Sequence, residues 1–218
     1  MANTKVLYQH GTLALLVPGL LDGTASIKDI MKHGDTGIGT GQGLDGELIF
    51  LNGIPYQINS KGKVQIVKDD FSVPFASAHF ADFNFLNSPK NIKDQDLYKQ
   101  VLKQSGLNNT FFAFLLKGTF KKIQTRAVEK SQKPYQTLLQ TAKKQSVFSG
   151  QDIKGTLLSY YAPDLFNGVA VGGFHSHFLS DNKDFGGHVL NFELAEGELS
   201  LQVFDSLDQH LPIDNEDF

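Results

Sequence analysis

The apolar positions along the chain change period several times, and each change places an element. Leu13, Leu16, Val17 and Leu20 recur at helical spacing within Thr12 to Met31, and Ile27, Ile30 and Met31 do so again after Thr24 or Ser26, either of which can cap a second helix. A glycine-rich loop from His33 to Asp45 follows. Three short β-like runs come next, Glu47 to Leu51, Ile54 to Ile58 and Val64 to Val67, separated by Asn52-Gly53 and Lys61-Gly62. Such dipeptides turn one strand back on the next, so the pattern predicts a meander. Phe75 to Phe85 continues strand-like, Asp94 to Ser105 reads as an amphipathic helix, and Thr110 to Arg126 is apolar, aromatic sheet with a bend at Gly118.

Beyond Arg126 the composition turns polar and basic, with Lys130, Lys133, Lys143 and Lys144 around a helix expected to start near Pro134. Further strand-like runs span Gly155 to Tyr161, Gly168 to Phe178, His188 to Leu194 and Glu198 to Phe204, with a turn at Pro163 and a loop from Ser180 to Gly187. The expected fold is α+β, two β-rich lobes with mixed sheets and a few flanking helices. The shift in composition divides the chain into an N-terminal sheet-rich lobe, 1–130, with the Gly-rich loop, and a C-terminal lobe, 131–218; the two can also form one continuous unit.

Composition narrows the chemistry. Of 218 residues 40% are hydrophobic and 18 are Phe, enough apolar surface for a sizeable core. With no Cys there is no disulfide framework and no thiolate nucleophile, so any metal must rest on His and carboxylate. A net charge of -3 provides no general field for a polyanion, which argues against nucleic acid as a partner. No run approaches the roughly 18 apolar residues of a membrane span. Leu13 to Leu21 contains Pro18, leads into Asp22-Gly23 and lacks a small-residue cleavage pattern, so it is not read as a targeting segment. A soluble, cytoplasmic protein with no membrane partner is expected.

Three of the seven histidines fall in Gly172-Gly173-Phe174-His175-Ser176-His177-Phe178 and Gly186-Gly187-His188-Val189-Leu190. In a strand, residues two apart share a face, so His175 and His177 project together and Ser176 points away. If the intervening loop reverses the chain, His188 opens the partner strand and adds a third nitrogen, leaving an open position for water or substrate. Three His ligands suit Zn²⁺; ligand type alone also admits Mn²⁺, Fe²⁺ or Ni²⁺. The competing reading is a surface His pair and a turn residue.

The run Gly37-Ile38-Gly39-Thr40-Gly41-Gln42-Gly43 superficially resembles a phosphate loop, but its context lacks the preceding strand and the following Lys-Ser/Thr that such a loop needs. It reads instead as backbone free to approach a ligand closely. Glu47, between Gly46 and the apolar Leu48-Ile49-Phe50-Leu51, is either buried enough for acid/base work or an exposed strand-end carboxylate, and composition alone favours the second. Arg126 is the only Arg in the chain. Its placement at the end of an apolar run suggests a bidentate carboxylate contact, against the alternative of a surface ion pair.

Taken together, Tyr8-Gln9, Lys32-His33-Gly34-Asp35, Gly37-Ile38-Gly39-Thr40, Leu44-Asp45-Gly46-Glu47, Gly118-Thr119-Phe120 to Arg126, Pro134-Tyr135 and Gly173-Phe174-His175-Ser176-His177-Phe178 through Gly187-His188-Val189-Leu190-Asn191-Phe192-Glu193 resemble the acetolactate decarboxylase family over nearly the whole chain. The resemblance implies conversion of 2-acetolactate to acetoin and CO₂ by a cytoplasmic, usually homodimeric enzyme. It implies Zn²⁺ on His175, His177 and His188, with Glu47 and Arg126 catalytic and Thr40 binding the small-molecule substrate. The metal would chelate the substrate's hydroxyl and ketone oxygens and stabilise the enediolate, with no thiamine or pyridoxal needed. A zinc hydrolase using the same three His and Glu47 is the alternative, and a non-catalytic metal module closed by a fourth protein ligand is another. The resemblance also implies a C-terminal segment that folds over the active site and contributes a second glutamate; Glu216 does not match its position, so either that segment is missing from the chain as it ends at Phe218, the favoured expectation, or the intermediate is protonated differently here.

Overall fold

A computed structural model describes residues 2–218. Two sheets dominate it. The first has seven strands in the order Ser206–His210, Val6–His10, Phe75–His79, Thr36–Gly41, Asp45–Leu51, Ile54–Ile58 and Val64–Ile66. It is mixed, because Ser206–His210 runs parallel to Val6–His10 while the other pairs are antiparallel. The second is antiparallel, in the order Lys90–Lys93, Gly186–Val203, Phe112–Val128, Gln145–Ala162 and Gly173–Ser180, with Asn84–Asn87 also on Gly186–Val203. Gly173–Ser180 pairs in addition with the start of Gly186–Val203, so four strands close into a ring at that end. The α+β expectation of two β-rich parts with few helices is met.

Strand alternation sorts the side chains into layers. Leu7, Ile38, Ile49 and Ile58 from the first sheet meet Ala113, Leu158, Tyr160 and Leu179 from the second in a shared core between the sheets. The outer face of the second sheet, with Phe112, Phe114, Phe120, Phe178 and Phe192, packs under Leu97 and Val101 of the helix Asp94–Ser105. That helix has the bounds its pattern predicts and ends on Gly106 in the left-handed region. The outer face of the first sheet, including Leu48 and Phe50, is covered by Ile27 and Ile30 of a one-turn helix capped by Ser26. No described helix is long and apolar enough to cross a membrane.

Several expectations are corrected. His33 to Asp45 is not simply a loop: Thr36–Gly41 is a central strand, in which Ile38 and Thr40 alternate with glycines in a period of two. His188 to Leu194 and Glu198 to Phe204 are one strand, Gly186–Val203, and Gly155 to Tyr161 is the inner half of Gln145–Ala162. Phe75 to Phe85 divides into Phe75–His79 and Asn84–Asn87. The helix expected near Pro134 begins at Leu138, where Thr137 and Gln140 form a capping box. Both sheets draw strands from either side of residue 130. Phe112–Val128 belongs to the second sheet through its pairing with Gln145–Ala162, and Ser206–His210 returns to the first.

The long strands keep their apolar side inward by inserting extra residues. Leu116 and Phe120 face the helix layer, but beyond a register shift at Lys121 it is Ile123 that does so. On Gly186–Val203 the helix-facing set changes from Val189 to Phe192 and Leu194, and again to Leu199, across shifts at Leu190 and Ala195. Each shift is a β-bulge that reverses which face the following residues take. Just before the first shift the three longest strands meet at Gly155, Gly118 and Gly197 in register. A Cβ on Gly118 would lie 2.3 Å from the Glu196 carbonyl oxygen and 2.7 Å from Gly197 Cα, both backbone atoms that cannot rotate away. Gly118→Ala should therefore destabilise the chain by about 1–3 kcal/mol, read as a lowered urea midpoint at unchanged m value.

Candidate active site

The two sheets meet at one end, and each contributes polar side chains there. From the first sheet, Thr40 and Glu47 stand opposite each other on paired strands and face the same way as Ile38 and Ile49, toward the second sheet. From the second, Arg126 pairs with His188 and His188 with His177 across three neighbouring strands, and His175 precedes His177 by two. The bulges put them there. Without the shift at Lys121, Arg126 would take the helix-facing side with Phe120; without the shift at Leu190, His188 would take the side of Phe192. Gly187 has φ +124°, and a Cβ on it would meet the Arg126 carbonyl oxygen at 2.6 Å, so only glycine brings this strand close enough to Arg126.

Ligating atoms of His175, His177 and His188 lie within 4.8 Å of one another, and no other His or carboxylate joins that group among the described residues. His175 Nε2 is 3.1 Å from His188 Nδ1. His177, buried, donates from Nδ1 to the Leu48 carbonyl at 2.7 Å, which fixes its tautomer and leaves a bare lone pair on Nε2. That Nε2 is buried with no hydrogen-bond partner; Glu47 Oε2 is its nearest acid group, at 3.4 Å. One strand, Asp45–Leu51, thus supplies both the acid and the carbonyl that orients the imidazole.

Burial sets the protonation states. Desolvation, with the positive charge of Arg126, holds His175 down to about 4, and desolvation with the neighbouring imidazoles pushes His177 and His188 well below the ordinary histidine value. All three are therefore neutral, as metal ligands must be. Glu47, 8% exposed, is raised to about 8 by desolvation, with Arg126 acting in the opposite sense. The exposed strand-end reading of Glu47 is thereby overturned. Arg126 donates from Nη1 to the neutral Gln145 side chain at 3.0 Å rather than to a carboxylate. Thr40 donates its hydroxyl proton to the Gly46 carbonyl at 2.8 Å, which leaves its lone pairs as acceptors.

Thr40, Glu47, Arg126, His175 and His188 all border one cavity of about 480 Å³, and His177 stands behind Glu47. All six residues singled out in the sequence are thus brought together. Sequence reasoning missed the Leu48 carbonyl and the apolar mouth of the cavity, built by Leu13, Leu16 and Val17 from one short helical segment and by Leu138, Leu139 and Ala142 from another. Both segments carry unusually exposed apolar residues, Val17 at 51% and Leu139 at 71%. Paired leucines beside helix caps were the available signal. The two segments are tied together by the Leu138 amide donating to the Val17 carbonyl at 3.1 Å.

A family model described as alpha-acetolactate decarboxylase matches residues 7–218. The alpha-acetolactate decarboxylase of Bacillus licheniformis is 35% identical over 98% of this chain and 84% of its own length, and that of Lactococcus lactis subsp. cremoris is 33% identical over 100% and 92%. Among solved structures, the alpha-acetolactate decarboxylase of Bacillus subtilis strain 168 superposes with a TM-score of 0.94 at 33% identity, covering 98% of this chain and 91% of that one. A Staphylococcus aureus protein of unknown function similar to alpha-acetolactate decarboxylase does so at 0.94 and 39% identity, covering 97% and 91%. Matched by the family model over residues 7–218 and by these relatives in sequence and fold, the chain belongs to the alpha-acetolactate decarboxylase family.

Proposed function

We propose that this chain decarboxylates 2-acetolactate to acetoin and CO₂ at a three-histidine zinc site. The observation that carries the reading is the convergence of three neutral imidazoles on one another, two of them at the cavity that Glu47 and Arg126 also border, in a chain of this family. The donor set fits the ion. The buried Nε2 of His177 has no other partner, and the 3.1 Å between His175 Nε2 and His188 Nδ1 is close to the roughly 3.3 Å that two nitrogens keep when each is about 2.0–2.1 Å from a tetrahedral zinc. Zinc held there would supply Lewis acidity, drawing electron density toward the substrate ketone as the carboxylate leaves.

The remaining work falls to the protein's own groups. Arg126, the chain's only planar cationic fork, binds the substrate carboxylate and fixes the orientation of the bond that breaks. Thr40, its proton committed to Gly46, accepts from the substrate hydroxyl. Glu47 carries a proton in its buried carboxyl and delivers it to the carbon that has lost CO₂, which completes acetoin and sets its handedness. The glutamate anion so formed stands in the field of Arg126 until solvent returns the proton. The apolar mouth limits water around these steps. On the same reading the enzyme is a cytoplasmic homodimer, and sedimentation of the purified chain at twice the monomer mass would support the dimer.

Acetoin and CO₂ release from racemic 2-acetolactate should be abolished by a chelator and restored by added Zn²⁺. Ester cleavage without CO₂ release would overturn the reading in favour of a hydrolase. Arg126→Lys should lower kcat/KM by about 10²-fold with zinc content unchanged, because Lys keeps the charge and loses the fork; turnover near that of the unsubstituted chain would remove the carboxylate clamp. Glu47→Gln should reduce kcat by about 10²- to 10⁴-fold, the usual contribution of a positioned proton donor, as measured by initial rates at saturating substrate.

A further inference from the structure

The strand that carries His175 and His177 has a second polar feature on its opposite face. Phe174, Ser176 and Phe178 point there, into the aromatic core beneath the helix Asp94–Ser105. Phe174 stacks on Tyr98 of that helix with ring centroids 4.4 Å apart and planes 12° from parallel, and Phe178 meets Phe120 edge-on at 4.9 Å. Between two aromatic anchors an apolar residue would be the default, because a hydroxyl buried there costs free energy unless it is bonded. Ser176 is 3% exposed and is bonded twice. It donates to Ser159 Oγ at 2.7 Å, directly across the register, and its oxygen lies 3.0 Å from the Tyr98 hydroxyl. The single proton of Ser176 is spent on Ser159, so Tyr98 must be the donor to Ser176. Burial raises Tyr98 to about 12, which keeps that donor proton in place.

We propose that Tyr98, Ser176 and Ser159 are positioning residues for the histidine pair. The chain of hydroxyls pins the backbone midway between His175 and His177 to both the neighbouring strand and the overlying helix, so the two imidazoles reach the cavity face at a fixed height and separation. Each imidazole is held on the cavity side by its own contacts, His177 by the Leu48 carbonyl and His175 by its approach to His188. The hydroxyl chain holds the peptide between them from behind. The helix, 12 residues long, reaches this strand through the Tyr98 ring stacked on Phe174 and through one polar link, the Tyr98 hydroxyl on Ser176.

This inference rests on the three-histidine metal reading, and its test separates the two. The full chain is freed of metal and titrated with Co²⁺, whose visible d–d absorption reports the number and arrangement of its ligands, and Zn²⁺ affinity is measured by competition with a chromophoric chelator. Tyr98→Phe keeps the ring stacked on Phe174 and removes only the hydroxyl; Ser176→Ala removes the link itself. Each should weaken Zn²⁺ binding by about 10-fold, the low end of the effect seen for groups that orient metal ligands, and should shift or broaden the Co²⁺ bands. The double variant should bind no more weakly than Ser176→Ala alone, because Tyr98 acts through Ser176. Variants with unchanged Zn²⁺ affinity and Co²⁺ spectrum, even with lowered thermal stability of the metal-free chain, would overturn the positioning role and leave a packing contact. Failure of the unsubstituted chain to bind Co²⁺ would overturn the metal reading and this inference with it.

Discussion

Successive residues of a strand point to opposite faces, so six polar side chains from five strands can gather at one place only if every strand arrives at the seam between the sheets in the right phase. Three extra residues set that phase. The bulge at Lys121 turns Arg126 toward the first sheet, and those at Leu190 and Ala195 let Gly186–Val203 bury an apolar side along its length while presenting His188 at its start. The first sheet needs no such correction, since Thr40 and Glu47 follow the unbroken alternation that buries Ile38 and Ile49. The cavity face is thus an outcome of backbone register, and the aromatic core beneath it resists any slip by one residue.

That dependence explains what was legible in the sequence. Regular local periods were readable: Asp94–Ser105 has the bounds its pattern suggests, and the meander through Asp45–Leu51, Ile54–Ile58 and Val64–Ile66 follows its turn dipeptides. The same holds for the pair His175 and His177, whose shared face follows from a spacing of two. Long strands were not readable, because a bulge shifts the alternation and makes one 18-residue strand look like two short ones, as at Gly186–Val203. Thr36–Gly41 was hidden for a different reason. Its glycines carry no hydrophobic signal, and a strand that is half glycine has the composition of a loop.

Glu47 shows where composition misleads. A lone carboxylate at a strand end is ordinarily solvated, and only the approach of a second sheet encloses this one. The enclosure comes from residues distant in sequence, with His177 at 3.4 Å and Arg126 close enough to oppose the desolvation shift. The Leu48 carbonyl that orients His177 was equally invisible, because a backbone acceptor has no sequence signature at all. That these residues lie together could be inferred from residue types and the family resemblance; protonation state could be inferred only from packing.

The resulting charge balance suits the proposed reaction. Burial leaves three neutral imidazoles, an acid group whose proton is retained near neutral pH, and one permanent cation, Arg126. Such a site favours an incoming carboxylate, whose charge Arg126 complements in surroundings where Coulomb interactions are strengthened by the lack of water. Loss of CO₂ moves that negative charge from the carboxylate into the substrate's remaining oxygens and produces a neutral, apolar leaving group. On the proposed reading, Leu13, Leu16, Val17, Leu138 and Leu139 of the cavity lining offer the departing CO₂ no polar group, while Glu47, Arg126, His175 and His188 stand with the charge left behind. On that reading the polar and apolar residues of one cavity act on different fragments of the same substrate, so interactions with the carboxylate and with the remaining oxygens strengthen as the bond breaks.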